Sequence, residues 1–251
     1  MQNRRRNPIW RLALIVALAA GAALGTARAD TAQFDAANKL YETGNFAGAR
    51  DAYLQLIKAG PLSANLYYNL GNAEWRLGDS GEAAVDYERA LALEPSHAEA
   101  RANLEFVREQ TGAKVPAAAW WQTALNGLNA GAASMLLSVC GWVAMFCVAL
   151  LLLRPAGRTA PAVTLAFCLL TGAYAAGCLW QAAAFATRAV VIAKSVQARV
   201  APVEVAPLAD VLPAGSEVLA PEERGAWTYC TIPDGTRAWV PTEALEPVRK
   251  S

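Results

Sequence analysis

Two long stretches without a charged residue constrain this chain more than any other feature. Charge is absent from residues 115–153 and again from residues 159–187, whereas the flanking regions carry ordinary numbers of charged residues. A bilayer offers the backbone no hydrogen-bond partner, so a crossing segment folds as a helix or within a closed barrel, and a helix needs about 20 apolar residues. Residues 132–153 and 161–183 meet that length. The sequence therefore predicts two transmembrane helices joining soluble parts.

The short loop between these segments predicts their orientation. Residues 154–160 contain Arg154 and Arg158 but no acidic residue. Short loops rich in arginine stay on the cytoplasmic side of a membrane. The soluble parts before and after the pair are therefore predicted to lie outside the cytoplasm, with residues 113–131 as a linker and interfacial segment that carries Trp120 and Trp121.

The N-terminus predicts export independently. Three arginines at residues 4–6 precede an apolar run at 12–24 and the small-x-small sequence at 27–29. This order is typical of a secretory signal peptide, here residues 1–29, cleaved after Ala29. An uncleaved anchor is the alternative, and both interpretations send residue 30 onward out of the cytoplasm.

A repeat of period 34 occupies the first soluble part, residues 30–112. Spacings of this size mark helical repeat proteins. The pairs separated by 34 residues are Ala37 with Gly71, Gly44 with Gly78, Asn45 with Asp79, Ala49 with Ala83, Tyr53 with Tyr87, and Pro61 with Pro95.

The paired residues predict two helices in each repeat. Gly44 and Gly78 suit the left-handed end of a first helix, and Asn45 and Asp79 suit the start of a second one. The small paired residues allow the helices to pack closely, and the prolines end the second helix. This pattern resembles the tetratricopeptide repeat, which implies an all-α array.

A further first helix is predicted after the second repeat. Ser96 and Glu99 have capping-box spacing, and the polar residues that follow suit a terminal capping helix. His97, the single histidine, is predicted to be a solvent-exposed residue of the first turn.

The resemblance implies that a partner would bind to the inner groove, which the first helices line. A helix face that is merely exposed, or covered by a neighbouring element, is the alternative for each of these residues. The candidate protein-binding residues are Asn38, Tyr41, Tyr68, Asn72, Trp75 and Arg76.

The second soluble part, residues 186–251, has a residue pattern typical of a small β-domain. Residues 227–232 alternate as a strand, Pro233, Asp234 and Gly235 form a turn signal, and residues 237–240 return beside the first strand. We expect a compact all-β barrel of five or six short strands.

The segments "VQAR", "LPAGSEV" and "GAWTYCTIPDGTRAWV" resemble the bacterial SH3-like domain, with Ala238 where a glycine is usual. That resemblance implies peptidoglycan or peptide binding, with Trp227 and Tyr229 as the candidate surface. Trp239 is predicted to be a core residue.

Several classes of function find no support in the sequence. The net charge of +1 argues against binding to nucleic acid. No cofactor or metal site is predicted, because one histidine with cysteines mostly in the apolar segments offers no ligand cluster. Gly71 and Gly78 lack the spacing and lysine of a phosphate-binding loop. Cys230, the one cysteine outside the apolar segments, is predicted to be a buried small hydrophobe. We therefore expect no enzyme.

The order of these parts, with the runs "LYYNLGNAEWRLGDSGEAAVDYERALALEP" and "HAEARANLEFV", resembles the BatE family of aerotolerance (Bat) operon membrane proteins. The resemblance implies a multidomain scaffold in the bacterial inner membrane, with both soluble parts in the periplasm. The implied partners are von Willebrand factor A-type (VWA) membrane proteins and a MoxR-type AAA+ ATPase. The alternative is a cell-wall sensor whose SH3-like domain binds peptidoglycan.

Overall fold

The computed structural model describes most of the chain after the predicted signal peptide. The signal peptide and the Trp120–Trp121 pair lie outside the described residues. The chain divides into two compact units, residues 1–62 and 63–251, and each is described by itself. The described ranges are 32–60, 62–117, 124–125, 127–153, 157–185 and 187–249.

The first unit contains one predicted repeat. Its helices are α1, helical over residues 32–42, and α2, Phe46–Ala59. Gly44 between them has a φ of +81°, in the left-handed region. The Asn45 side chain accepts a hydrogen bond from the Gly48 amide at 3.0 Å and so caps α2 as predicted.

The second unit begins with three helices, α3 (Ala64–Leu77), α4 (Ser80–Leu93) and α5 (Ala98–Thr111). Gly78 ends α3 with a φ of +90°. Asp79 precedes α4 as predicted, but its side chain makes no capping hydrogen bond. A Cβ added at Gly71 would lie 2.8 Å from the Tyr87 ring, which confirms a close helix-packing position.

Two long apolar helices follow, α6 (Ala130–Leu153) and α7 (Thr159–Phe185). Both are long and apolar enough to span a membrane. Large apolar side chains face outward, among them Trp142 and Leu152, which are 70% and 78% exposed. The helices pack on each other where Gly172 approaches Leu137, whose Cδ1 would lie 3.7 Å from an added Cβ.

An antiparallel sheet forms the C-terminal region. Its strands are β1 (Arg188–Val191), β2 (Ser195–Arg199), β3 (Leu208–Pro213), β4 (Glu217–Arg224), β5 (Trp227–Thr231), β6 (Arg237–Pro241) and β7 (Leu245–Pro247). In the described part of the chain the sheet thus has seven strands, in the order β3-β2-β6-β5-β4-β1-β7, rather than the five or six predicted. A short 3-10 turn, Thr242–Ala244, precedes β7.

The hairpin of β5 and β6 forms where the sequence predicts it. Tyr229 lies opposite Trp239, and Gly235 in the turn has a φ of +90°. Cys230 belongs to the buried cluster of the sheet, and burial raises the pKa of its thiol to about 11, which confirms a buried small hydrophobe. The prediction that Trp239 is a core residue is wrong, because alternation along β6 buries Ala238 and Val240 and turns Trp239 to the outer face.

The sheet packs against α4. Every residue of α4 from 83 to 90 is buried, so α4 is covered on the side opposite α3 as well. Gly81 permits the approach, since a Cβ there would lie 2.4 Å from Ile192 backbone atoms. At the C-terminal end of α4, the buried Arg89 donates hydrogen bonds to Glu246 at 2.7 Å and to the carbonyl oxygen of Pro247 at 2.9 Å.

We predict that Gly81→Ala destabilises the protein by about 1–3 kcal/mol, because the added methyl group meets backbone that cannot move aside by rotation. Gly131→Ala is the matched control, since its nearest neighbour would lie 3.5 Å away. Thermal unfolding of the full chain in detergent measures the difference. A midpoint for Gly81→Ala equal to that of the control would contradict the close packing of sheet and helix.

Candidate functional site

The candidate groove residues of the second unit lie along α3. Tyr68, Asn72 and Trp75 are spaced by four and three residues, so they share one face of the helix, and all three are half-buried. Arg76 follows as an exposed residue. We use the name α3–α5 face for the surface formed by Tyr68, Asn72 and Trp75 together with Asn103 and Phe106 of α5.

Aromatic rings line this face. The Trp75 and Phe106 rings meet edge to face, with centroids 5.4 Å apart, and Phe106 remains 47% exposed. Tyr68 lies 5.0 Å from the His97 ring and 6.1 Å from the Tyr87 ring. Exposed rings supported by other rings offer apolar contact area in a fixed orientation, which suits the side chains of a bound protein segment.

The amide groups of the face are held in place by hydrogen bonds. The Tyr87 hydroxyl donates to Asn72 Oδ1 at 2.7 Å, and Asn103 Nδ2 donates to the same oxygen at 2.8 Å. Tyr87 is 1% exposed, so its hydroxyl anchors Asn72 from the core. The face therefore presents polar groups in a fixed orientation next to its rings.

The first unit repeats this hydrogen bond. The Tyr53 hydroxyl donates to Asn38 Oδ1 at 2.8 Å, and both residues precede Tyr87 and Asn72 by 34 positions. Tyr41, the other predicted residue of this unit, packs edge to face on Phe46 with centroids 5.2 Å apart. Asn38 and Tyr41 thus belong to one unit, and the other four predicted residues belong to the second.

His97 is a residue that sequence reasoning misplaced. It is 8% exposed rather than solvent-exposed, and it replaces Ser96 as the N-cap of α5, accepting a hydrogen bond from the Ala100 amide at 3.2 Å. Its Nε2 lies 3.1 Å from Asn65 Oδ1. The helix starts one residue later than predicted, which turns the imidazole toward α3.

The candidate residues of the sheet lie on its outer face. Trp227 and Tyr229 alternate with the buried Thr228 and Cys230 along β5. The Tyr229 and Trp239 rings are 4.8 Å apart and tilted by 36°.

Two arginines extend this pair of rings. The Arg224 guanidinium lies 5.7 Å from the Trp239 ring, and Arg237 lies 5.7 Å from the Tyr229 ring. Cations at this distance from aromatic faces are attracted by the ring electrons. We call Arg224, Tyr229, Arg237 and Trp239 the arginine–aromatic row.

A third constellation, which the sequence did not predict, joins the helices to the sheet. Glu88 of α4, Arg108 of α5, Arg188 of β1 and Glu217 of β4 meet in what we call the charged junction. Arg108 donates to Glu88 at 2.5 Å and also contacts Glu217, and Arg188 lies 3.2 Å from Glu217. Both carboxylates are almost fully buried. No sequence pattern marks any of the four residues, and only their contacts in the structure show that they join the helices to the sheet.

The junction changes the pKa of Glu88. Burial raises its pKa from 4.5 to about 7, and the negative charge of Glu217 acts in the same direction. Arg108 and Arg188 oppose this change. A buried carboxyl group that shares its arginine with a second carboxylate therefore holds its proton into the neutral range.

Comparison with known proteins identifies the helical part. Residues 34–98 match the family described as tetratricopeptide repeat, so the predicted repeat family is confirmed for this region. The chain is also 34% identical over 123 residues to a protein of Pseudomonas aeruginosa described as probable biofilm formation methyltransferase WspC. That match covers 49% of the chain but only 28% of the relative's length.

We predict that the free energy of unfolding falls between pH 4.5 and about 7 through Glu88. In this window the folded state holds the Glu88 proton more tightly than the unfolded state does. The contribution of Glu88 to the free energy of unfolding is therefore greatest below pH 4.5 and declines as the pH rises. The slope from this group is at most about 1.4 kcal/mol per pH unit.

Unfolding of the full chain measured from pH 4.5 to 8 checks this, and Glu88→Gln, which is neutral throughout, should remove that part of the slope. Glu109→Gln, at an exposed position of α5, is the matched control. If Glu88→Gln keeps the wild-type slope, Glu88 does not titrate as described.

Proposed function

We propose that the protein is a non-enzymatic, membrane-anchored scaffold that binds protein segments through its tetratricopeptide repeats. The tetratricopeptide repeat is a non-catalytic interaction fold. The observation that carries the proposal is the α3–α5 face, where Trp75 and Phe106 form a partly exposed pair of rings beside the anchored amide of Asn72. The sheet packs against α4, and Phe106 of the α3–α5 face remains 47% exposed.

The contact between helices and sheet supports a hairpin arrangement in the membrane. Glu88 and Arg108 precede α6 and α7 in the chain, whereas Arg188 and Glu217 follow them, yet all four meet in the charged junction. Groups in direct contact lie on one side of a membrane, and two crossings return the chain to the side it left. Short loops rich in arginine stay in the cytoplasm, so the arginines of the intervening loop favour a location of the charged junction on the other side of the membrane. In a bacterial cell that side is the periplasm.

The specific system that we propose is the Bat type. What supports it is the order of parts along the chain, a repeat region, then two apolar helices, then a β-domain, together with the sequence runs quoted above. In this proposal the partners are VWA-domain membrane proteins and a MoxR-type ATPase system. The enzyme name of the Pseudomonas relative does not change the proposal, since only 28% of that protein is matched.

The alternative is a peptidoglycan-binding or sensing protein that acts through the sheet. Support for an SH3-like domain comes from the consecutive antiparallel strands β4, β5 and β6, from the 3-10 turn before β7, and from the pairing of β7 with β1. The arginine–aromatic row would supply the binding surface, since aromatic rings stack on sugars and arginines pair with carboxylates.

We predict the topology from single cysteines introduced at exposed positions. Lys58→Cys and Glu204→Cys should react in intact cells with a maleimide that cannot cross the inner membrane, whereas Arg158→Cys should react only after permeabilisation. The natural cysteines of the described residues are buried, so the background is low. Labelling of Arg158→Cys from outside would contradict the orientation.

The two functions separate in a crossed experiment on the full chain. We predict that Trp75→Ala reduces recovery of crosslinked protein partners at least about tenfold, since buried aromatic anchors contribute about 2 kcal/mol or more, and leaves binding to isolated sacculi unchanged. If the alternative is correct, Trp239→Ala should reduce binding to isolated sacculi and leave the recovery of protein partners unchanged.

Each variant serves as the control for the other, because both remove one half-buried tryptophan. Unchanged partner recovery with a folded Trp75→Ala chain contradicts the scaffold face. Retention on sacculi that does not depend on Trp239 contradicts the peptidoglycan surface.

A further inference from the structure

A cavity of about 360 Å³ lies where the helices and the sheet of the second unit meet the ends of α6 and α7. Its size is that of a small-molecule site. Ala130 at the start of α6 and Ala182 near the end of α7 both line it, so it lies at the end of the helix pair that connects to the α3–α5 helices and the sheet. The apolar residues of its wall include Leu91, Leu104, Val115, Leu125, Leu128 and Leu219.

One wall of the cavity is polar and incompletely satisfied. It is formed by the charged junction together with Gln181 of α7, whose side chain is 3% exposed. Arg108 Nε is buried and has no hydrogen-bond partner among the described residues. A buried donor without a partner is unfavourable, but its burial also closes Arg108 Nε off from the cavity. A bound acceptor would instead reach the exposed Arg101 of the same lining.

The cavity lining also carries a separated pair of opposite charges on α5. Arg101 and Glu105 both line the cavity and are both exposed. They are four residues apart, so their Cβ atoms lie about 5–6 Å from each other. No salt bridge joins them in the described part of the chain. The Arg101 guanidinium donates instead to the carbonyl oxygen of Pro95.

The charges of the lining select between classes of amphiphile. Above a pH of about 7, where Glu88 has lost its proton, Arg101, Arg108 and Arg188 are balanced by Glu88, Glu105 and Glu217, and lipid retention is therefore compared at pH 8. An anionic headgroup would be repelled by these carboxylates, with no surplus of positive charge to offset the repulsion. A purely cationic headgroup would be repelled by the arginines. A headgroup that carries a phosphate and an ammonium group one helical turn apart matches both charges of α5.

We propose that this cavity binds one zwitterionic phospholipid of the phosphoethanolamine class. The phosphate accepts a hydrogen bond from Arg101, and the ammonium group donates to Glu105. The glycerol and the first part of an acyl chain lie against Leu125 and Leu128, in the direction of α7. This inference rests on the proposed insertion of α6 and α7 in a bilayer, because that insertion places the cavity at the level of the headgroups.

Native mass spectrometry of the full chain tests the site. The chain is extracted from membranes in mild detergent and mixed with phosphatidylethanolamine or phosphatidylglycerol of the same acyl chains. We expect one retained phosphatidylethanolamine and at least tenfold less retention of phosphatidylglycerol. Arg101→Gln and Glu105→Gln should each lower retention of phosphatidylethanolamine about tenfold.

Glu109→Gln is the matched control, since Glu109 is exposed on the same helix one turn later and is not part of the cavity lining. Ala182→Trp is a second variant that fills the cavity without changing a charge, and it should abolish retention. Addition of phosphoethanolamine or inorganic phosphate alone should not displace the lipid at equal concentration, because neither compound contacts the apolar wall.

The possible failures are distinguishable. A chain recovered in the membrane fraction without a retained lipid overturns the site and leaves the scaffold proposal standing. Equal retention of both lipids, or equal losses for Glu105→Gln and Glu109→Gln, also overturns the site. A chain absent from the membrane fraction contradicts the proposed membrane insertion itself.

Discussion

The packing of the sheet on α4 is the contact on which the arrangement of the second unit depends. A repeat helix ordinarily buries one stripe and exposes the other, whereas α4 is buried on every side from residue 83 to 90. Charged side chains on its outer side would be costly to bury alone. They are tolerated because Arg89 pairs with Asp86 and Glu246, and Glu88 pairs with Arg108. Removing one partner leaves the other charge buried, so the junction favours a single docked arrangement.

This docking explains where the sequence succeeds as a guide and where it fails. The period of 34 predicts local features, the left-handed Gly78 and the close packing at Gly71, because these depend on residues within one repeat. Arg89 and Glu246 are separated by 157 positions, and no local pattern marks them as partners. Trp239 was misplaced for a related reason, since alternation alone does not say which side of a hairpin faces the core. The spacing of Asn72 and Trp75 indicates one face of α3, whereas Phe106 belongs to the next helix and no pattern within α3 marks it as the ring that packs on Trp75.

The same docking divides the surfaces of the second unit between different tasks. The outer side of α4 is covered within the chain, whereas the α3–α5 face is the surface that we propose for a partner. The hydrogen bond from Tyr87 to Asn72 connects the two, because Tyr87 belongs to the helix that the sheet covers. A change that loosens α4 would therefore also release the amide that orients the face. The orientation of Asn72 on the α3–α5 face thus depends on the packing of α4.

The charged junction has a further consequence, because it lies at the base of the two apolar helices. Its four charges come from helices before the pair and from strands after it, so they close the loop of chain that contains α6 and α7. Loss of the Glu88 proton makes this closure less favourable, because burial disfavours the charged carboxylate and because a second carboxylate, Glu217, also contacts Arg108. The α4 and α5 helices and the sheet are consequently joined at one buried cluster beside the ends of the two apolar helices, and the strength of this cluster depends on pH.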